Sequence, residues 1–129
     1  MHPKILLIEQ TGELRNLLDN ISELEAFSFI STSEPSLALP LCNYLSPNLI
    51  LVDFELHQFH GYQFSKQVNG GFERPNIPLI AIIHPAQILE NNQFLYTVDD
   101  YLLKPIKIAQ LRQSIQTCLP DQSMFYSLH

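Results

Sequence analysis

Asn48-Leu49-Ile50-Leu51-Val52-Asp53-Phe54-Glu55-Leu56-His57-Gln58-Phe59-His60-Gly61 is the stretch that decides how this chain folds. It opens with an unbroken apolar run, Leu49 to Val52, with no polar residue alternating through it. A short, partly β-branched run of that kind predicts a strand covered on both faces, which is the situation of a central strand in a parallel sheet packed between helices. The run stops at a carboxylate, Asp53, and the segment after it carries Glu55, His57 and His60 before closing on Gly61. Sites on open parallel sheets gather at the carboxyl ends of central strands. Asp53 is therefore the first candidate functional residue.

Working outward, the same pattern recurs. Lys4 to Ile8 is a first apolar strand, ending at Glu9-Gln10. Thr11 offers a helix cap, and Leu14, Leu17, Leu18, Ile21 and Leu24 fall on one helical face. Phe27 to Thr32 has the mixed character of an edge strand. Ser33-Glu34-Pro35 starts a second helix over 36–45, in which Pro40 predicts either a kink or a late start. Beyond Gly61, Tyr62 to Val68 forms a helix stopped by Asn69-Gly70-Gly71. Ile77 to Ile83 is another apolar strand, and a weaker helix follows over Ala86 to Tyr96, interrupted by Asn91-Asn92. Val98 to Leu103 is the fifth strand, ending at Lys104-Pro105. Ile108, Leu111, Ile115 and Leu119 form the apolar face of a last helix, which also offers a dimerisation surface.

Strands alternating with helices in this way predict an α/β domain with a five-stranded parallel sheet between two helical layers. In the flavodoxin-like strand order 2-1-3-4-5, strands one and three are neighbours at the switch point. Glu9 and Asp53 then meet at one edge, with Lys104 arriving from the fifth strand. The expected domain spans 1–120, followed by a patternless tail, 121–129.

The 129 residues suffice for one core, and 46% hydrophobic against 16% charged residues excludes a disordered chain. A net charge of −6 argues against direct nucleic-acid binding, which needs a basic footprint. Neither Cys42 nor Cys118 belongs to a metal-type spacing, so both are expected as reduced core thiols. The first apolar run is too short for a signal peptide or membrane span. A cytoplasmic, soluble protein with no membrane association is the expectation.

Five segments in order carry a resemblance: Lys-Ile-Leu-Leu-Ile-Glu-Gln (4–10), Pro-Asn-Leu-Ile-Leu-Val-Asp (47–53), Gly61, Ile-Pro-Leu-Ile-Ala-Ile (77–82) and Asp-Asp-Tyr-Leu-Leu-Lys-Pro (99–105). From Lys4 to about Leu119 the chain resembles the receiver domains of two-component response regulators. The resemblance implies a stand-alone signalling module whose only chemistry is phosphorylation and slow dephosphorylation at Asp53. Asp53 would take a phosphoryl group from a histidine kinase or phosphotransfer protein, and Lys104 would pair with it. Tyr101 would be the aromatic that changes rotamer, beside a partner surface of helix four, strand five and helix five.

Two departures bear on that chemistry. Gln10 stands where the family carries its second acid, so magnesium would be held weakly by Glu9, Asp53, the Glu55 carbonyl and Gln10. Magnesium favours carboxylates in strict octahedral geometry, and an amide brings no charge. Ile83 stands at the family's hydroxyl position and cannot donate to a phosphoryl oxygen. His57, His60 and His84 lie in edge loops, where imidazoles suit transition metals, although without a diagnostic ligand spacing. A phosphate-binding flavodoxin type is disfavoured, because Glu9 and Glu13 flank the loop that would hold the anion. Two readings stay open: a phosphoryl-accepting regulator, and a pseudo-receiver that binds proteins without phosphorylation.

Overall fold

The computed structural model describes residues 2–22, 26–53, 60–69, 76–90 and 92–119. The strands are β1 (Lys4–Ile8), β2 (Ser28–Thr32), β3 (Leu49–Asp53), β4 (Leu79–Ile83) and β5 (Asp100–Leu103). They form one parallel sheet in the order β2-β1-β3-β4-β5. The helices are α1 (Glu13–Ile21), α2 (Ala38–Leu45), α3 (Gly61–Asn69), α4 (Asn92–Leu95) and α5 (Ile108–Cys118). This is the expected flavodoxin-like architecture.

The apolar runs explain the centre of the sheet. Every residue of β3 and β4 is buried, and alternate side chains serve opposite layers. Leu6, Ile8, Ile50, Val52, Leu79, Ala81 and Ile83 pack with Cys42, Phe64 and Phe94 on one side. On the other, Ile5, Leu7, Leu49, Leu51, Ile80 and Ile82 meet Leu14, Leu18, Leu111 and Ile115 from α1 and α5. Each fully buried aliphatic side chain contributes about 1.5–3 kcal/mol of transfer free energy, so the two apolar layers hold the sheet.

The boundary differences have local causes. A 3₁₀ turn over Pro35–Leu37 precedes α2, which therefore starts late, as one of the two Pro40 alternatives predicts. Pro40 falls in its first turn, where no helical hydrogen bond needs the missing N–H. Ser46, with φ 46°, closes that helix in the left-handed region and leads into β3.

The helix expected over 86–96 is much reduced. A 3₁₀ turn over Pro85–Gln87 is capped by His84, whose Nδ1 accepts from the Ala86 N–H, and α4 covers only Asn92–Leu95. Asparagine competes for backbone hydrogen bonds and weakens helix interiors, which accounts for the shortening. β4 and β5 each begin two residues later than the apolar runs suggested. The Asp99 carboxylate takes the Leu79 N–H at 2.8 Å, a side chain substituting for a strand partner. Asn69 does likewise at the end of α3, its amide donating to the Ile77 carbonyl (3.0 Å) and accepting the Ile77 N–H (2.7 Å).

The α5 face also needs correction. Leu111, Ile115 and Leu119 are buried, but Ile108 is exposed. Leu24, the proposed stop at 70–71 and the tail 121–129 lie outside the described residues.

Cys42 is a core thiol as expected, whereas Cys118 is only half-buried. Its pKa is pushed from 9.0 up to about 11, by burial first and then by Asp99 and Asp100. Since the thiolate is the reactive form, roughly a hundredfold less of it is present at neutral pH than in an ordinary cysteine. Site-resolved mass spectrometry should therefore show Cys118 alkylated by iodoacetamide about a hundredfold more slowly in the folded chain than in urea. The folded rate should keep rising with pH toward 11, beyond the point where an ordinary thiol has levelled off. Equal rates in both states would contradict it.

Candidate functional site

The sheet register brings the candidate residues to one edge. Ile8 pairs with Val52, so Glu9 and Asp53 follow at neighbouring positions past the ends of β1 and on β3. Asp53 pairs with Ile82 of β4, and Ile83 with Leu103 of β5, placing Lys104 one step further on. The Lys104 N–H continues the ladder by donating to the Ile83 carbonyl at 3.0 Å. Lys104 Nζ reaches back across the top of β4 to an Asp53 carboxylate oxygen at 3.0 Å. Asp53 is 2% exposed and the lysine side chain 11%. A nearly dry carboxylate is thus neutralised by an ammonium that keeps one side towards solvent.

Glu9 is buried too, at 3% exposure, and has a helix-capping part that the sequence did not foretell. One carboxylate oxygen accepts the Leu14 N–H at 3.0 Å and the other the Arg15 N–H at 2.7 Å. These amides belong to the first turn of α1, where backbone N–H groups have no helical acceptor. The expected cap, Thr11, takes only the Glu13 N–H, at 3.3 Å. Gly12 makes the reach possible. Its φ of 80° is one that side chains rarely adopt, and a Cβ there would meet the Arg15 guanidinium at 3.2 Å. The turn directs the amides of α1 back at Glu9, which caps the helix from five residues away.

Burial pushes the Glu9 carboxyl above its ordinary pKa. The two backbone hydrogen bonds work against this, the Asp53 charge adds to it, and Arg15 opposes it. Two buried acids at this edge therefore feel one another, with the Lys104 ammonium paired to one of them.

The other candidates separate. Gln10 is exposed at the mouth of the site. Ile83 is fully buried and packs in the layer that holds Phe64 and Phe94. Tyr101 is 45% exposed on β5, and Phe94 is core, while Tyr96 stands 84% exposed. Glu55 and His57 lie outside the described residues. His60 and His84 are exposed, and among the described residues no three His, Cys, Asp or Glu side chains cluster closely enough to hold a metal ion. A groove of about 400 Å³, lined by Glu34, Leu39, His60, Gln63, Phe64 and Gln67 among others, was not foreseen. Its walls come from two helical segments far apart in sequence, which periodicity does not bring together.

The fit to magnesium is poor on this geometry. Magnesium requires oxygen ligands in a near-ideal octahedron and is usually anchored by one or two carboxylates. Of the described candidates, Asp53 is paired with an ammonium, Glu9 spends both oxygens on α1, and Gln10 is neutral. Among the described residues, no helix is long and apolar enough to cross a membrane.

Comparison with known proteins agrees with the fold. The chain is 27% identical over 121 residues to the polar-differentiation response regulator DivK of Brucella anthropi, covering 92% of this chain and 98% of that one. It is 24% identical over 116 residues to the probable transcriptional regulator ycf27 of Porphyridium aerugineum, covering 90% of this chain and 48% of that protein. It thus spans about half the length of the ycf27 relatives and nearly all of DivK. Among solved structures it resembles the receiver domain of the sensor histidine kinase PA1611 of Pseudomonas aeruginosa, described with a magnesium ion in its active-site cleft. The TM-score is 0.77 at 21% identity, over 92% of this chain and 98% of that one. The profile of the response regulator receiver domain matches residues 5–116, from the first strand almost to the end of α5. A match of that extent on this sheet order makes the chain a member of the response regulator receiver domain family, the signalling module of two-component systems.

Proposed function

We propose that the chain is a cytoplasmic response regulator receiver domain over 1–120, which accepts a phosphoryl group on Asp53 from a histidine kinase or phosphotransfer protein. The observation that carries this reading is the Asp53–Lys104 pair, a carboxylate at the end of the central strand held 3.0 Å from a lysine at the end of β5. In that arrangement an Asp53 oxygen attacks phosphorus, and the phosphorus–nitrogen bond of the donor phosphohistidine breaks. The imidazole leaves with the bond's electron pair and a proton from solvent. Lys104 is placed to neutralise charge on the transferring group, the main electrostatic task in phosphoryl transfer.

The same lysine supplies the route outward. Its N–H is bonded to the Ile83 carbonyl, and Tyr101 lies three residues before it on β5. Tyr96, Tyr101 and Leu103 leave apolar surface open on the α4–β5 side, which supports a downstream protein partner there. The chain acts as a switch rather than as an enzyme with turnover.

A second reading is a phosphorylation-independent interaction module. It is favoured by Ile83, which offers no hydroxyl, and by the loss of a carboxylate at Gln10. Acetyl phosphate and beryllofluoride, each applied to the parent and to Asp53→Ala, separate the two. The first reading expects an added phosphoryl mass and amide shifts near Lys104 in the parent, both absent in Asp53→Ala. A parent that takes up neither leaves the second reading standing.

A further inference from the structure

The geometry points to a site whose described residues do not take up a divalent metal: Glu9 is a positioning residue for α1, and the Lys104 ammonium is the counter-charge of Asp53. The inference goes beyond the reading of Asp53 given above and does not depend on phosphoryl acceptance there.

The argument begins with what Glu9 is doing. A carboxylate that ligates magnesium points an oxygen at the ion and accepts few other strong bonds on that side. Here both oxygens are engaged by backbone amides, at 3.0 and 2.7 Å, inside a pocket that leaves the residue 3% exposed. The extra methylene of glutamate, compared with aspartate, gives the reach across Gln10-Thr11-Gly12, and the left-handed Gly12 turns α1 to meet it. Withdrawing an oxygen towards a metal would orphan an amide at the start of α1. Hydrogen bonds of this charge-assisted kind are the strong ones, so the helix competes well for the carboxylate.

The remaining donors do not make up the loss. Gln10 brings an oxygen without charge and is exposed. Asp53 already has its counter-charge in the lysine 3.0 Å away. A dication brought to the same carboxylate would be repelled by that ammonium, at a site of low effective dielectric where such repulsion is poorly screened. A magnesium ion keeps several waters and needs hard anionic anchors, and of the two described carboxylates at this edge one is paired with an ammonium and the other is bonded to the start of α1.

Two measurements on the full chain test this. In the first, magnesium chloride is titrated through the millimolar range and the amide signals of Gln10, Asp53 and Lys104 are followed by NMR. We expect no saturable shift in the parent and a saturable shift in Gln10→Asp, where the missing charge is returned. A saturable shift in the parent would overturn the inference. So would a Gln10→Asp variant as silent as the parent, because charge at that position would then not be the reason.

In the second, the response to acetyl phosphate is compared in EDTA and in magnesium, and no fold-change between them is expected. A parent that responds only with magnesium overturns the inference while upholding phosphorylation at Asp53. A parent that ignores both acetyl phosphate and magnesium upholds the inference and removes the phosphoryl-accepting reading. The two failures are therefore distinguishable.

Discussion

Replacing Lys104 with methionine should destabilise the fold by about 3–5 kcal/mol, because it strips the counter-charge from a carboxylate that has nowhere to go. Asp53 is 2% exposed and fixed on the central strand, with the Glu9 carboxyl near enough for their charges to interact. The reverse substitution should be milder. With Asp53→Ala the lysine keeps a long stem and an 11% exposed side chain, and its ammonium can swing into water. The double variant, Asp53→Ala with Lys104→Met, should recover much of the single-lysine loss, since an apolar replacement of both partners leaves no charge buried. Urea unfolding of the three variants and the parent forms a double-mutant cycle. A Lys104→Met loss under about 1 kcal/mol would mean that the pair behaves like a solvated surface bridge.

The second large effect belongs to Ile83→Thr. Ile83 is wholly buried and packs in the layer holding Ile8, Val52, Phe64 and Phe94. Threonine there removes apolar volume and introduces a hydroxyl, for a combined loss of about 2–3 kcal/mol. A hydroxyl on this residue, one position past the partner of Asp53, would supply the donor proposed for a phosphoryl group there. Such a bond to a charged group contributes about 1.5–3 kcal/mol, enough to move a two-state equilibrium tenfold or more. The variant should melt earlier in urea than the parent and yet give larger beryllofluoride-dependent shifts along β5. A variant that is destabilised without any larger response would mean that Ile83 serves packing alone.

Those two residues show what a single sequence can and cannot reveal about this fold. Leu49 to Asp53 was legible because a run buried on both faces leaves no alternation, and the strand begins and ends where that pattern does. The nearness of Glu9, Asp53 and Lys104 followed from strand order alone, and the register has β1, β3, β4 and β5 side by side with these residues at or just past their ends. The partner of Glu9 was not legible. Its bonds depend on the backbone angle at Gly12 and on the reach of one side chain across a turn, and neither leaves a periodic trace. Ile83 read as a missing donor, but its packing beside Phe94 emerges only when distant segments are brought together. The weaker helix expected over 86–96 is shorter still for a local reason, since the His84 cap sets a 3₁₀ turn at its start.

The clasp between Asn69 and Ile77 has a consequence for how this chain tolerates change in length. Its paired hydrogen bonds, 3.0 and 2.7 Å, fasten the exit of α3 directly to the approach to β4. The Pro78 carbonyl next to it already holds the Ile50 N–H of the central strand. The two residues of the clasp thus form a fixed base for whatever chain joins them. Lengthening a closed loop costs only about 0.6 kcal/mol for each doubling, so residues added between 70 and 75 should leave the register of β4 untouched. That makes the interval a port for epitope tags, reporter groups or grafted peptides.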